Sequence, residues 1–312
     1  MKRVLISGGT GYIGRHVVQA LLARGDKVTV FSRRPEQVTA ELGSDVRTVA
    51  WAPGSRGEGK RAAWFASVAG QDAVVHLAGE QAVGKRFTQQ LKQRIYDSRI
   101  ESTLQLVEAI AEAQPRPSVL LCASAVGYYG GHLTSTAFDE DSAAGEDFLA
   151  TVTRDWEGAA ARAKDYGVRV VSTRFGIVFG RDGGALEQMA RPFKLFAGGP
   201  IATGKQIVSW VHIEDAVRAI MRCLDDAQIE GPVNVTSPHA VSNEELSRTL
   251  GQVLRRPSWA RVPEAALRAL FGEGAFPIVT GQRAMPAVLQ RHGFEWRYPE
   301  LRPALEEALA RG

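Results

Sequence analysis

Val-Leu-Ile-Ser-Gly-Gly-Thr-Gly-Tyr-Ile-Gly, residues 4–14, is the stretch of this chain that decides the fold. Three apolar residues at its start predict a strand that runs directly into a glycine-rich turn. Gly9, Gly11 and Gly14 satisfy the spacing G-x-G-x-x-G, and Gly8, Gly11 and Gly14 satisfy G-x-x-G-x-x-G. In this context the glycines predict more than a tight turn, because the spacing is the one that dinucleotide-binding turns use.

A helical pattern follows the glycines and ends before Gly25; its apolar positions are Ile13, Val17, Val18, Leu21 and Leu22. The order strand, glycine turn, helix suits a pyrophosphate, which must approach the backbone more closely than side chains would allow. Free backbone N–H groups at the positive end of the helix then stabilise its charge. The start of the chain therefore predicts a dinucleotide site.

Composition narrows the class of protein. The chain has 312 residues, 45% of them hydrophobic, which is enough for one large domain or one domain with a smaller lobe. A net charge of +4 without a clustered basic run gives no reason to expect nucleic-acid binding. No signal peptide or long apolar run is visible, so we expect a cytoplasmic protein that does not bind membranes.

Cysteine and histidine usage indicates a reducing compartment and no metal site. Cys122 and Cys223 are the only cysteines and lie far apart in sequence, which favours a reducing compartment over a disulfide framework. No two of the six histidines are three or four residues apart, so the sequence predicts no metal site.

Strand and helix signals alternate through the first half of the chain. The strands are expected at 27–32, 47–51, 72–77, 118–123 and 169–174, with helices at 88–113 and 147–165 and a loop at 54–59. This alternation predicts an α/β fold: a Rossmann doubly wound parallel sheet with right-handed crossovers. We assign residues 1–180 to this domain, with later strands from about 205–240, including one at 231–235. Residues 181–312 form a smaller, mostly helical C-terminal substrate lobe, in which Ser242 and Glu245 make a capping box.

The end of the second strand indicates which dinucleotide binds. An NAD site usually places a carboxylate there to bind the ribose 2′-hydroxyl, but this chain reads Phe31-Ser32-Arg33-Arg34. A hydroxyl and guanidinium groups suit a 2′-phosphate, so NADP(H) is favoured. The alternative is that both arginines are solvated and contact no ligand.

Further motifs resemble those of a known family. They are Val75-His76-Leu77-Ala78-Gly79, Ala123 to Gly130 (ASAVGYYG) and Trp210 to Asp215 (WVHIED), followed by 98–103 (SRIEST), 198–201 (GGPI), 281–286 (GQRAMP), 293–294 (GF) and 298–301 (YPEL). With the glycine turn, they resemble the extended short-chain dehydrogenase/reductases. More narrowly, they resemble the atypical "epimerase family" proteins that carry a C-terminal domain of unknown function. The resemblance covers nearly the whole chain.

The resemblance implies a Rossmann sheet with NADP(H) across its strand ends, and it assigns binding residues. The pyrophosphate would lie on Gly8, Gly11, Tyr12, Ile13 and Gly14, and the adenosine phosphate on Ser32 and Arg33. Leu77, Ala78 and Gly79 would line the site near the ribose, Arg99 would reach the cofactor, and Val178 would lie near the nicotinamide.

Some of these residues have a plainer explanation. Leu77 and Ala78 could be core residues, and Arg99 could form a surface ion pair with Asp97 or Glu101. His76 stands where the family usually has Asn, and we expect a buried histidine with satisfied hydrogen bonds rather than a catalytic one.

The catalytic residues of the wider family are incomplete here. Typical members use Ser or Thr together with Tyr-x-x-x-Lys, in which lysine lowers the tyrosine pKa and tyrosine moves a proton. No such pair occurs, and Phe148 and Val152 occupy the expected places. Ser124 matches the serine, and Tyr128 or Tyr129 could replace the missing acid, although packing in the loop is an alternative for both.

Two functions therefore stay open. The first is an oxidoreductase or epimerase-like enzyme acting on a small carbonyl or sugar-like substrate, in which Ser124 polarises the carbonyl and a loop tyrosine or a bound water supplies the proton. The second is a non-catalytic NADP(H)-binding regulator that reports redox state to a partner protein. Some relatives in photosynthetic cells are linked to control of the division site. A homodimer is the expected assembly if the chain oligomerises.

Overall fold

A seven-stranded parallel sheet forms the centre of the computed structural model, which describes residues 1–51 and 63–310. Its strand order is β3-β2-β1-β4-β5-β7-β11. The strands, in chain order, are β1 (Arg3–Ser7), β2 (Lys27–Ser32), β3 (Val46–Ala50), β4 (Ala73–His76), β5 (Val119–Ala125), β6 (Ala137–Phe138), β7 (Arg169–Phe175), β8 (Ile177–Phe179), β9 (Ile207–Val208), β10 (Trp210–His212), β11 (Gly231–Val235), β12 (Val241–Ser242) and β13 (Arg283–Ala284).

The central strands are apolar because both faces of the sheet are covered. Val4, Leu5 and Ile6 of β1 are fully buried, as are Val74 and Val75 of the neighbouring β4. Parallel strands buried on both faces read as continuous hydrophobic runs, which is the pattern that β1 and β4 show. The register pairs Ser7 with His76, so both strands end at the same edge.

Helices connect the strands. They include α1 (Tyr12–Ala23), α2 (Pro35–Leu42), α3 (Gln89–Glu112), α4 (Phe148–Ala161), α5 (Gly184–Lys194), α6 (Ile213–Asp225), α7 (Asn243–Leu254), α8 (Glu264–Phe271), α9 (Phe276–Val279), α10 (Ala287–Arg291) and α11 (Leu301–Leu309). The Asp147 carboxylate caps α4 by accepting from the N–H groups of Leu149 and Ala150, and the Ser242 hydroxyl caps α7 by accepting from Glu245 N–H. No helix in the described ranges is long and apolar enough to cross a lipid bilayer.

The sheet order creates a crevice between β1 and β4. From β1 the chain steps outward to β2 and β3, and from β4 it steps the other way to β5, β7 and β11. Because crossovers between parallel strands are right-handed, helices on the two sides cover opposite faces. Ligands of such sheets bind at the carboxyl ends of the strands beside this reversal.

The predicted α/β Rossmann architecture with a helical C-terminal part is confirmed. Most element ends shift by one or two residues, and the helix expected at 147–165 ends at Ala161 and continues as a 3₁₀ turn, Arg162–Tyr166. The later strands expected at about 205–240 include β9, β10 and β11, but only β11 joins the main sheet, because β10 pairs with β8 in a separate two-stranded sheet. The loop expected at 54–59 lies outside the described residues.

Gly14 tests how tightly the first turn is packed. A Cβ built on Gly14 would lie 2.1 Å from the Gly8 carbonyl oxygen, whereas one built on Gly158 of α4 meets no atom within 4 Å. We expect Gly14→Ala to destabilise the protein by about 1–3 kcal/mol through this overlap. Gly158→Ala should instead stabilise it by about 0.5–1 kcal/mol, because alanine favours a helix. Urea denaturation of both variants measures the difference, and equal effects would contradict the packing.

Candidate cofactor and active site

The β1–α1 turn forms a cradle of backbone atoms. Gly8 has φ +73°, and a Cβ on it would lie 2.8 Å from the Ala78 amide nitrogen. Gly11 donates its N–H to the Gly8 carbonyl at 3.0 Å and precedes α1 without a side-chain cap. The turn therefore brings the backbone of β1 against the end of β4 and leaves the first N–H groups of α1 without a side-chain cap, which fits the pyrophosphate of a dinucleotide.

Tyr12 and Ile13 open α1. The Tyr12 ring lies against Gly183 and Gly184, and its hydroxyl is buried without a hydrogen-bond partner among the described residues. Burial raises the pKa of Tyr12 to about 12. Ile13 is half-buried against the core. Both side chains therefore pack against the protein.

Ser32 and Arg33 lie at the carboxyl end of β2. The Ser32 hydroxyl accepts a hydrogen bond from Arg34 N–H at 3.0 Å, which fixes the bend after the strand. The side chains of Arg33 and Arg34 are exposed. Lys85 principally, with Arg33 among the weaker causes, lowers the pKa of Glu80, so the Arg33 charge acts on the end of β4.

The residues after β4 meet the glycine cradle and Arg99. Leu77 and Ala78 are partly buried and pack on the core, and Leu77 donates its N–H to the Ser7 carbonyl at 3.0 Å. Arg99 donates to the Glu80 and Ile95 carbonyls, at 2.9 and 3.1 Å, rather than to Asp97 or Glu101.

The Arg99 guanidinium lies 5.0 Å from the centre of the Trp156 ring. A Cβ built on Gly79 would lie 3.2 Å from the Cζ of this guanidinium. Burial lowers the pKa of Arg99 to about 10. A cation is thus held against the strand end that faces the cradle. Val178, in contrast, is a buried residue of β8, paired in register with Val211 of β10.

His76 is a buried histidine with two hydroxyl partners. Its Nδ1 lies 2.5 Å from the Ser7 Oγ and its Nε2 lies 3.2 Å from the Ser102 Oγ. Burial lowers its pKa to about 3, so the ring is neutral at physiological pH. The geometry agrees with a structural histidine.

Ser124 is joined to an ion pair that the sequence did not lead us to expect. Its hydroxyl donates to Glu157 Oε1 at 2.6 Å. The Arg174 guanidinium donates to both Glu157 oxygens, from Nε and Nη2, each at 2.8 Å. Ser124 and Arg174 are cross-strand neighbours in β5 and β7, and Glu157 reaches them from α4. The available signal was an arginine, Arg174, inside the strand predicted at 169–174, because a cation in a covered sheet needs an anionic partner.

The two tyrosines after Ser124 have different environments. The Tyr129 hydroxyl donates to Asn234 Oδ1 at 2.8 Å and accepts from Arg174 Nη1 at 3.0 Å, and burial raises its pKa to about 12. Tyr128 is only partly buried, and its ring centre lies 3.5 Å from the Arg174 Cζ. Among the described residues, no hydrogen bond is formed by the Tyr128 hydroxyl. Tyr128 therefore offers an uncommitted proton-transfer group, and Tyr129 does not.

Helix α4 has no tyrosine and lysine four residues apart, either at positions 148 and 152 or at the adjacent positions 149 and 153. The Phe148 ring packs on Phe87, with ring centres 5.7 Å apart, and Val152 is buried. Leu149 and Thr153 lie eight and four residues before Glu157 and so share its side of the helix. The Thr153 hydroxyl donates to the Leu149 carbonyl at 2.8 Å.

The WVHIED motif fixes the C-terminal segment. The buried Asp215 carboxylate accepts the N–H groups of Arg297 and Tyr298, each at 2.8 Å, and His212 Nε2 lies 2.8 Å from Glu307 of α11. His212, Glu214 and Glu307 place possible metal-ligand atoms within 4.8 Å of one another. Both carboxylates already have an arginine partner, Arg297 for Glu214 and Arg181 for Glu307. We therefore interpret the cluster as a structural contact that holds the C-terminal segment in place.

Known proteins match over the whole of this arrangement. Residues 4–236 match the NAD-dependent epimerase/dehydratase family, and residues 262–308 match a domain of unknown function (DUF1731). An Arabidopsis thaliana protein named "Epimerase family protein SDR39U1 homolog, chloroplastic" is 41% identical over 97% of this chain and 85% of its own length. The chain therefore belongs to the NAD-dependent epimerase/dehydratase family, as its motifs predicted.

Solved structures agree. The human epimerase family protein SDR39U1 (isoform 2), crystallised with NADPH, has a TM-score of 0.86 and 34% identity, covering 98% of both chains. A nucleoside-diphosphate sugar epimerase from Corynebacterium glutamicum has a TM-score of 0.78 and 31% identity, covering 99% of this chain and 58% of its own. The cofactor in the human structure is the one that Ser32 and Arg33 favour here.

The contrast between the tyrosines predicts different stabilities. Tyr129→Phe leaves Asn234 Oδ1 and Arg174 Nη1 without their buried partner, and we expect a loss of about 1–3 kcal/mol in the free energy of unfolding. Tyr128→Phe removes a hydroxyl that forms no hydrogen bond to the described residues, so the free energy of unfolding should change by less than about 0.5 kcal/mol. Urea denaturation tests both, and a larger loss for Tyr128→Phe would reverse the assignment.

His76 predicts acid sensitivity. Its folded pKa lies below the ordinary value, so below about pH 6.5 the unfolded chain binds a proton that the folded protein refuses, and stability falls as pH falls. When the pH falls from about 7.5 to 5.5, the free energy of unfolding of the native protein should drop by about 1.4 kcal/mol more than that of the His76→Asn variant. Urea midpoints at both pH values measure this, and identical losses would show that His76 is not the titrating group.

Proposed function

We propose that this member of the NAD-dependent epimerase/dehydratase family binds NADPH and acts as an oxidoreductase or epimerase-like enzyme on a small carbonyl- or sugar-like substrate. The observation that carries the proposal is the meeting of three features at one sheet edge: the glycine cradle, the basic end of β2, and the Ser124–Tyr128 segment. The C. glutamicum relative, named a sugar epimerase, supports a small-molecule substrate.

The cofactor would lie along the carboxyl edge. Gly8, Gly11 and the start of α1 hold the pyrophosphate on backbone N–H groups, with Tyr12 and Ile13 packed beneath it. Ser32 and Arg33 bind the 2′-phosphate, and Leu77 to Gly79 with Arg99 line the wall near the ribose. When bound, the nicotinamide supplies a hydride donor or acceptor.

The protein's own contribution is to position the substrate oxygen and to move a proton. Ser124, held by Glu157, is the hydrogen-bond partner of the substrate oxygen. Tyr128 is the proposed acid or base, because its hydroxyl has no described partner and its ring lies against the Arg174 cation. A hydroxyl in this position can give a proton to the substrate oxygen or take one from it.

A second function has its own supporting observation. Neither Phe148 and Val152 nor Leu149 and Thr153 can replace the tyrosine–lysine pair on α4. A protein that binds NADPH without chemistry and reports redox state to a protein partner would need only the cofactor site. A homodimer and a cytoplasmic location stay predictions under either function.

Activity separates the two functions. We expect the protein to oxidise NADPH in the presence of one or more members of a carbonyl panel. Tyr128→Phe should lower this turnover by roughly 10²-fold or more, while NADPH affinity stays unchanged. If no carbonyl supports oxidation and no alcohol supports NADP⁺ reduction, the enzyme proposal fails, and a pull-down with and without NADPH would test the regulator.

Arg33 tests the cofactor. Arg33→Ala should weaken NADPH binding by roughly ten- to a hundredfold, about 1.5–3 kcal/mol for a charge-assisted contact, and barely affect NADH. Arg34→Ala is the matched control at the adjacent exposed arginine. Calorimetric titration of both cofactors gives the comparison. Equal losses for NADPH and NADH would contradict a 2′-phosphate contact.

A further inference from the structure

We infer that Glu157 fixes the hydrogen-bond direction of Ser124, so that Ser124 faces the cleft as an acceptor and binds a hydroxyl group of the substrate rather than a carbonyl oxygen. The inference deepens the proposed function and rests on it for the identity of the cleft. It differs from the role expected from the sequence, in which Ser124 donates its proton to a carbonyl.

The direction of the Ser124–Glu157 bond follows from the donors available. A carboxylate has only acceptors, so the proton in the 2.6 Å contact belongs to Ser124. Glu157 cannot turn away from this contact without losing bonds to Arg174, which holds both carboxylate oxygens at 2.8 Å. Bidentate pairing of this kind fixes the carboxylate plane as well as its position.

Arg174 is itself held from several sides. Its side chain is 2% exposed. Its Nη1 donates to the Tyr129 hydroxyl at 3.0 Å and to the Glu140 carbonyl at 3.3 Å, and the Tyr128 ring covers one face of the guanidinium. Rotation of the ion pair would break these bonds in the core, so Glu157 is a rigid acceptor for Ser124. Glu157 is thus a positioning residue: it acts on a ligand through Ser124.

The remaining surface of the Ser124 oxygen consists of lone pairs. Within the described ranges, no donor forms a hydrogen bond to Ser124 Oγ. The residue lies at the carboxyl end of β5, the edge at which such sheets bind ligands. A substrate hydroxyl can donate to this oxygen, whereas a carbonyl would place its own lone pairs against those of Ser124. A carbonyl could gain the serine proton only by breaking the charge-assisted bond to Glu157.

Two inert probes can measure this preference. 1-Methylcyclohexanol has no hydrogen on its carbinol carbon and cannot be oxidised, and cyclohexanone cannot be reduced by NADP⁺. Both can therefore be titrated into the NADP⁺-saturated protein without turnover, with ligand-detected NMR as the readout. We expect the alcohol to bind about tenfold more tightly, the size of one net hydrogen bond. Equal binding, or a preference for the ketone, would overturn the inference.

Variants assign the preference to Glu157. Ser124→Ala leaves the Glu157–Arg174 pair intact and should abolish the preference, while Ser124→Thr keeps the hydroxyl and should retain it. Glu157→Leu removes the acceptor altogether, which frees the serine proton for the cleft, so the preference should vanish or reverse. If Glu157→Leu folds, as judged by its melting temperature, and still prefers the alcohol, Glu157 does not set the direction.

A neutron structure of the native protein provides a measurement that needs no probe. The serine deuteron should lie between Ser124 Oγ and Glu157 Oε1, and a deuteron directed into the cleft would overturn the inference. This result decides the matter where Glu157→Leu does not fold or neither probe binds. Failure of the protein to bind NADPH would instead refute the proposed function and leave the direction of this bond to the neutron map.

Discussion

The buried charge of Arg174 is the constraint on which the candidate active site depends. A guanidinium inside a protein is stable only when its charge and its donors are matched, and removing one partner of such a pair is costly. Glu157 supplies the charge, and Tyr129 and the Glu140 carbonyl take a further donor. Through these contacts β7, α4 and the segment after β5 are held in one arrangement. Ser124, near the end of β5, and Tyr128, on the segment that follows, therefore have fixed positions before any ligand arrives.

A second constraint is the close packing of the β1–α1 turn against the end of β4. The β1–α1 turn approaches the end of β4 so closely that a side chain at Gly8 would overlap the backbone of Leu77 and Ala78, and α1 packs so closely on the turn that a side chain at Gly14 would overlap Gly8. The contact places Leu77 to Gly79, with Arg99 against Gly79, beside a helix start that has no side-chain cap. The two constraints lie on the same sheet edge, on either side of the β1–β4 reversal. A dinucleotide that spans this edge would join the glycine cradle to the Ser124 segment.

The sequence predicted what depends on local pattern. The apolar runs of β1 and β4, the glycine spacing and the absence of a carboxylate after Phe31 each follow from a few adjacent residues. The Glu157–Arg174 pair could not be predicted in the same way, because it depends on how α4 faces the sheet. Adjacent tyrosines at 128 and 129 look equivalent in sequence, yet the 3₁₀ turn Val126–Tyr129 buries the Tyr129 ring and leaves Tyr128 partly exposed. The strands β8 and β10 have three residues each, too few for any periodicity to appear.

The most direct test of the account is a crystal structure of the protein with NADPH. The account predicts density for the pyrophosphate at the start of α1 over Gly8 and Gly11, the 2′-phosphate against Ser32 and Arg33, and the nicotinamide beside Ser124 and Tyr128. A cofactor bound with its nicotinamide away from these two hydroxyls would contradict the proposed chemistry. The absence of NADPH from the glycine cradle at saturating concentration would contradict the cofactor site itself.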